Sequence, residues 1–267
     1  MDIIIERADG VLSITLNRPA RKNALTAAMY QDMADAFVHA ENDPAVRVVL
    51  IRANGDSFSA GNDLEDFMKA PPATGDAPVF QFLRAISTAK KPVVAAVAGV
   101  AVGIGTTMLL HCDLVYATPT ARFALPFVQL GLCPEAASSL LLPQIAGYQR
   151  AAEKLLLGEP FDVTEAVNMG IVNRVIAAEE LDAFARAQAK KLVALPAASL
   201  KVTKALMKGA DAGEVDRRIS EEAEHFGRML KGGEAQEAFK AFFEKRKPDF
   251  SQFNRRCCVV QGEDSTG

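Results

Sequence analysis

Residues 92–112, PVVAAVAGVAVGIGTTMLLHC, run without a single Asp, Glu, Lys or Arg. A charge-free stretch of this length must leave water, either by crossing a bilayer or by lying in the centre of a folded core. Gly99 and Gly103 even supply the G-x-x-x-G spacing of paired membrane helices. The composition points the other way. The run is made of Val, Ala and Gly, Leu is confined to its end, Pro92 stands at its head, and no aromatic anchors flank it. A buried strand, a glycine turn and the start of a buried helix are expected, with no membrane partner. A chain of 267 residues, 49% hydrophobic, can enclose such a segment in one large core plus a smaller appendage.

The surroundings fit an α/β core. Ile3–Ile5 and the alternating VLSITL at 11–16 read as a hairpin across the Arg7–Gly10 turn. Thr26 is placed to cap a helix running to about Glu41, with Met29, Met33, Ala34, Phe37 and Val38 on one face. Val46–Ala53 is a strand ended by Asn54-Gly55, and Phe80–Thr88 a helix. Strand Val93–Val97 is followed by short strands at Leu114–Ala117 and Arg122–Leu125, with a last strand at Ile171–Val175. From Glu135 onward helical patterns dominate, with Leu181–Ala194 and Ala198–Phe243 the longest. The resulting division is a core over 1–195, a helical C-terminal region over 196–254, and a flexible tail over 255–267. Phe226, Met229, Leu230, Phe239, Phe242 and Phe243 exceed what one short helix buries alone, so that region should pack on the core or on another subunit.

Charge and cysteines exclude several classes. A formal net charge of −3 gives no basis for a nucleic-acid partner. Cys112, Cys133 and the adjacent Cys257 and Cys258 lack C-x-x-C spacing, which suggests reduced thiols in a cytoplasmic setting. MDIIIERADG has no basic-then-apolar leader pattern, so no signal peptide is expected. His39, His111 and His225 are far apart, without ligand or triad spacing, and no metal site or G-x-S-x-G serine is foreseen. Asp113 reads as a turn anchor.

Three loops carry possible chemistry. In Phe58-Ser59-Ala60-Gly61-Asn62-Asp63-Leu64, small residues after a strand let a ligand approach backbone N–H groups; the alternative is a plain loop with a helix cap at Asn62 or Asp63. The spacing Gly99-x-x-x-Gly103-x-Gly105 is not a dinucleotide fingerprint, and close packing alone would explain it. In Leu130–Ser139, Glu135 lies among small and apolar neighbours, where desolvation would make it a better base; otherwise it is the first residue of a helix after Pro134, complementing the helix dipole.

Together, in this order, these loops resemble the enoyl-CoA hydratase/isomerase (crotonase) superfamily. The resemblance runs through LNRPARKNALT at 16–26, FSAGNDL at 58–64, KPVVAAVAGVAVGIGTTM at 91–108, HCDLVYAT at 111–118, LGLCPEAASSLLLP at 130–143, GEPFDVTEAVNMGIVNRV at 158–175 and AFFEKRKPDF at 241–250. It implies a spiral of ββα turns with a helical C-terminal region, assembled as trimers or dimers of trimers. It implies an acyl-CoA substrate whose thioester oxygen sits between the backbone N–H groups of Asn62 and Ile104, each such donor supplying roughly 3 kcal/mol in the transition state. Ala60, Gly61, Asn62, Asp63 and Leu64 would line the coenzyme A path, and Lys245 would meet its phosphates, from its own or a neighbouring subunit, the alternative being an ordinary solvated helix end. Coenzyme A is part of the substrate, so no separate cofactor is implied.

Hydratases of this family use two glutamates. At the matching positions this chain has Thr107 and Phe127, expected here as pocket wall. Glu135 instead matches the single glutamate of peroxisomal-type Δ3,Δ2-enoyl-CoA isomerases, as do L-G-x-x-P-E-x-x-S-S at 130–139 and G-N-D-L at 61–64. The resemblance therefore implies a 1,3-proton shift by Glu135, with hydration, another enolate reaction, or acyl-CoA binding without catalysis as alternatives.

Overall fold

The structure, a computed structural model, describes residues 1–69, 76–209 and 212–253. The 255–267 tail, with Cys257 and Cys258, lies outside them. Among the described residues two sheets form. The larger holds β1 (Ile3–Ala8), β2 (Val11–Leu16), β3 (Val48–Ala53), β4 (Val93–Val97), β6 (Leu114–Ala117) and β9 (Arg174–Val175), in the order β1-β2-β3-β4-β6-β9. The smaller holds β5 (Val100–Val102), β7 (Arg122–Ala124) and β8 (Phe161–Asp162), in the order β5-β7-β8. The expected hairpin is present, Ile3 pairing antiparallel with Leu16, and from β2 to β9 the large sheet is parallel.

A parallel sheet is covered on both faces, which is why its strands carry so few charges. Val49, Ile51, Val93, Ala95 and Val97 face the main core, under helices α1 (Ala27–Asn42) and α3 (Pro78–Ser87). Their neighbours Val48, Leu50, Val94 and Ala96 face a second cluster, closed by Leu181, Ala185 and Ala189 of α8 (Leu181–Val193). The charge-free run thus divides rather than spanning anything: β4 belongs to one sheet, β5 to the other, and α4 (Ile104–Thr107) follows. Among the described residues no helix is long and apolar enough to cross a membrane. The step between sheets turns on Gly99, at φ +68°, where a Cβ would lie 1.8 Å from the Asp56 carbonyl oxygen.

The remaining helices are α2 (Leu64–Lys69), α5 (Ser138–Ala146), α6 (Tyr148–Ala152), α7 (Val163–Asn168), α9 (Ala197–Gly209), α10 (Ala212–Leu230) and α11 (Gly233–Phe243). Thr26 caps α1 as expected, accepting from the Met29 N–H at 3.3 Å. Val38 departs from the expected face: it is exposed, and Ala36 and Ala40 take the buried stripe with Met33 and Phe37. A residue nine positions after Met29 has turned about 180° around a 3.6-residue helix. The expected strand at 171–175 shrinks to Arg174–Val175, because Ile171 and Val172 bury their side chains in the main core instead of pairing. The C-terminal region packs on its own chain, since Ile219, Phe226, Ala235 and Phe239 belong to the main core. Helix α9 leaves Val202, Leu206 and Met207 exposed.

Candidate active site

Two backbone segments meet side by side at the mouth of the smaller sheet. Ser59 and Ala101 form a parallel bridge, with the Ser59 N–H donating to the Val100 carbonyl at 3.0 Å and the Val102 N–H to the Ser59 carbonyl at 2.9 Å. Both chains run in the same direction. Three residues past the bridge on one strand is Asn62; three past it on the other is Ile104. The approach is close enough to require glycine: a Cβ on Gly61, at φ +91°, would lie 2.9 Å from the Val102 carbonyl oxygen, and one on Gly105 would lie 2.9 Å from that of Ser59.

The amides at these positions are not consumed by ladders. The Leu25–Asn62 bridge uses the Gly61 carbonyl and the Asp63 N–H, which leaves the Asn62 N–H facing away from it. Ile104 opens α4, where an N–H has no acceptor in its own helix. Side chains fix the first loop firmly. The buried Tyr30 hydroxyl donates to Asn62 Oδ1. Asp63, the residue before α2, accepts from the Asp66 N–H at 3.1 Å and from Arg18 at 2.6 Å. Burial works against its charge, yet Arg18, the Asp66 amide and Arg21 prevail and hold its carboxyl below the usual range. Asp63 is therefore the cap that the sequence left open between two residues. Buried Asn23 ties the loop's other end, donating to the Asn54 and Ser57 carbonyls at 2.9 and 2.7 Å.

Glu135 does not open a helix. Helix α5 starts three residues later, and between them Ala136 and Ala137 both take left-handed conformations, φ 60° and 54°. Each costs an L-residue roughly 1–2 kcal/mol, so the turn needs support. The Glu135 carbonyl accepts from the Ser138 N–H at 3.0 Å and its hydroxyl at 2.6 Å. His111 Nε2 donates to the Ala136 carbonyl at 2.8 Å; burial lowers this imidazole to about 4, which keeps it neutral. Glu222 of α10 accepts from the Ala137 and Ser139 amides at 2.6 and 3.0 Å. The turn throws the Glu135 side chain into the interior. It is 8% exposed, its Oε1 has no hydrogen-bond partner among the described residues, and burial, then the charge of Glu222, push its carboxyl up to about 8.

A cavity of about 760 Å³ gathers these parts, within the range of small-molecule sites. Ala60, Gly61, Asn62, Asp63, Leu64, Ile104, Phe127, Glu135 and Lys245 all line it. Thr107 does not: it is wholly buried within α4, and its Oγ1 finds no partner among the described residues. The wall beside Phe127 comes instead from Leu130, Leu132 and the C-terminal aromatics Phe226, Phe239, Phe242 and Phe243. Asp63 and Glu65 also reach the cavity, but arginines pair both. Lys245 sits at the rim of its own chain's cavity.

Sequence reading missed four supporting residues. Tyr30 leaves no signal apart from its contact, and Asn23 only its place in the segment LNRPARKNALT at 16–26. His111 has no ligand or triad spacing to mark it. Glu222 did leave one: it stands on the inward stripe Val215, Ile219, Glu222, Phe226, an acid at helical spacing among apolar residues.

The pattern of the Enoyl-CoA hydratase/isomerase family matches residues 6–254. The 1,2-epoxyphenylacetyl-CoA isomerase of Escherichia coli K12 is 33% identical, covering 94% of this chain and 99% of its own length. Enoyl-CoA delta isomerase 2 of Rattus norvegicus is 37% identical over 77% of this chain, which spans 54% of that longer protein. A crystal structure of an enoyl-CoA hydratase/isomerase from Pseudoalteromonas atlantica T6c superposes with a TM-score of 0.90 at 43% identity, covering 94% of this chain and 100% of that one. With paired backbone donors, a buried carboxylate and a cavity between them, the chain belongs to the enoyl-CoA hydratase/isomerase family.

Proposed function

We propose that this enzyme moves the double bond of a 3-enoyl-CoA to the 2-position, with Glu135 carrying the proton. One observation carries the reading: among the described residues lining the cavity, Glu135 is the carboxylate without a cationic partner, while positions 107 and 127 hold Thr and Phe. Ionised Glu135 takes a proton from C2, which the adjacent thioester acidifies. The electron pair moves into the conjugated system, and the resulting dienolate oxygen is held by the N–H groups of Asn62 and Ile104. The protonated Glu135 then delivers the same proton to C4, forming the C2–C3 double bond. A carboxyl that titrates near 8 holds its proton firmly enough to deliver it, yet remains a usable base in mildly alkaline solution. Apolar walls from Phe127, Leu130, Leu132 and Phe226 keep water from adding to the product. Residues 60–64 would carry the coenzyme A chain, and Lys245 at the rim would face its phosphates. The name of the rat relative, an enoyl-CoA delta isomerase, supports the same reaction.

The test incubates the purified chain with a 3-enoyl-CoA and, separately, a 2-enoyl-CoA. Conversion of the first without 3-hydroxyacyl product is expected, and Glu135→Gln should lower it at least ~100-fold. Preferential hydration of the 2-enoyl substrate would replace the isomerase reading by a hydratase one. Binding of both without turnover would leave only an acyl-CoA-binding role. Assembly into trimers belongs to the same proposal, with exposed Leu206 and Met207 of α9 available for contact; light scattering on the purified chain measures it.

A further inference from the structure

Glu222 serves no step of the reaction above, yet it is a buried carboxylate whose every oxygen is engaged. Oε2 accepts from the Ala137 N–H at 2.6 Å, and Oε1 from the Ser139 N–H at 3.0 Å and the Ser139 hydroxyl at 2.5 Å. Helix α5 has no cap of its own, since Ala137 precedes it and offers no side-chain acceptor. Its N-terminus is thus capped from a different helix, one belonging to the C-terminal region. The amide of Ala137 lies inside the left-handed pair that directs Glu135. Glu135 and Glu222 also border a common void of about 20 Å³, otherwise lined by apolar groups such as Phe67, Leu83 and Ile219. That is room for about one water molecule.

We infer that Glu222 is a positioning residue for Glu135: its carboxylate pins the Ala136–Ala137 turn that aims the base, and sets a second negative charge behind it. The inference rests on Glu135 being the base of the proposed reaction. The charge acts in one direction. A neighbouring carboxylate disfavours ionisation of Glu135 and so strengthens its hold on a proton, in the same sense as burial. Other groups face the pair from each packed element. Tyr30 of α1 is neutral, with its hydroxyl raised well above 10 by burial and then by Glu135. Cys133 is neutral too, raised to about 11 by burial and then by Glu222, and His111 stays uncharged. Burial raises the Glu222 carboxyl itself, against the pull of the Ser139 and Ala137 donors and of Arg218 of α10, which donates to the Ser139 hydroxyl at 3.2 Å. Arg228, also of α10, acts on Cys133.

The experiment uses the full chain and two readouts. The first is the titration of Glu135 itself, followed by the infrared C=O stretch of its protonated carboxyl and assigned by its loss in Glu135→Gln. The second is kcat/KM for a 3-enoyl-CoA against pH. Glu222→Gln keeps the shape, removes the charge and turns one amide donor toward another donor. Glu135 should then titrate about one pH unit or more lower, and kcat/KM at its optimum should fall about 10-fold or more. Glu222→Asp restores the charge, and the Glu135 midpoint should return to within about half a pH unit of the original. A role in stability alone would lower the unfolding midpoint and leave the Glu135 titration in place. An unmoved midpoint in a folded Glu222→Gln protein overturns the inference. Should that variant not fold, an Asp variant whose Glu135 titrates like an exposed glutamate overturns it equally. The underlying reading fails separately: a wild type that titrates Glu135 near 8 but converts no 3-enoyl-CoA refutes the reaction and leaves the coupling of the two glutamates standing.

Discussion

Replacing Glu135 by glutamine should remove activity and raise stability, and the second effect depends on pH in a way the structure fixes. In the unfolded chain this carboxyl titrates at its ordinary value of 4.5; in the folded protein it is pushed up to about 8, by burial and then by Glu222. At pH well below 4.5 both states hold the proton, and ionisation contributes nothing to the difference between them. As pH rises past 4.5 the unfolded chain releases its proton first, so the folded state binds more protons and loses stability steadily. The loss ends once the folded carboxyl ionises near 8. Integrated between pH 5 and pH 9, this comes to about 4 kcal/mol at 1.36 kcal/mol per pH unit.

Glutamine has no such titration. The assay is equilibrium denaturation of wild type and Glu135→Gln at both pH values, taken as a double difference. Any fixed cost of burying the amide cancels in that comparison. The variant should gain about 2–4 kcal/mol relative to wild type on going from pH 5 to pH 9, the lower figure allowing for local relaxation around a buried charge. The wild-type rate should rise over the same interval, with kcat/KM half-maximal near pH 8, because only the ionised form takes the C2 proton. A double difference below about 1 kcal/mol would mean that the carboxylate reaches water or a partner. Both the base and its elevated proton affinity would then have to be abandoned.

Other perturbations probe the rest of the site. Gly99→Ala forces a side chain at φ +68° onto the Asp56 carbonyl; denaturant titration should show a loss of more than about 2 kcal/mol. Tyr30→Phe deletes the hydrogen bond to Asn62 Oδ1, for about 1 kcal/mol of stability, and should lower kcat more than it raises KM, as steady-state kinetics will separate. Lys245→Gln should raise KM for acyl-CoA several-fold with kcat kept, the mark of lost uniform binding; an unchanged KM removes Lys245 from the substrate path.

What the sequence makes legible follows from burial on two faces. Val48–Ile51 and Val93–Val97 are free of charge because helices cover both sides of the sheet, and a charge-free run between turn residues shows this without coordinates. The loops at 58–64 and 99–105 are legible only jointly. Each alone reads as packing, and the Ser59–Ala101 bridge that sets Asn62 beside Ile104 is a long-range pairing with no local pattern. Thr107 was misjudged for a related reason: it stands one turn beyond Ile104, and on so short a helix one turn separates the cavity from the core. The Glu135 turn is the least legible. Left-handed backbone normally announces itself through Gly or Asn, whereas here two alanines adopt it. Their conformation is imposed from outside, by His111 and Glu222.

That imposition changes how the chain divides. Composition places a boundary near residue 195, where the alternating core gives way to charged helices. Chemistry ignores it. The base lies on one side of the boundary, while the group holding its turn and most of the aromatics walling its cavity lie on the other. A core folded without α10 would keep the Asn62 and Ile104 amides in register, because the bridge between Ser59 and Ala101 is internal to it. It would lose the cap on α5, the charge behind Glu135, and the Phe226 side chain that lines the void beside the carboxyl. Glu135 would then revert toward an ordinary, solvated glutamate, a weaker base by several powers of ten in proton affinity. The C-terminal helices are therefore as much part of the proton-transfer apparatus as the loop that bears the glutamate.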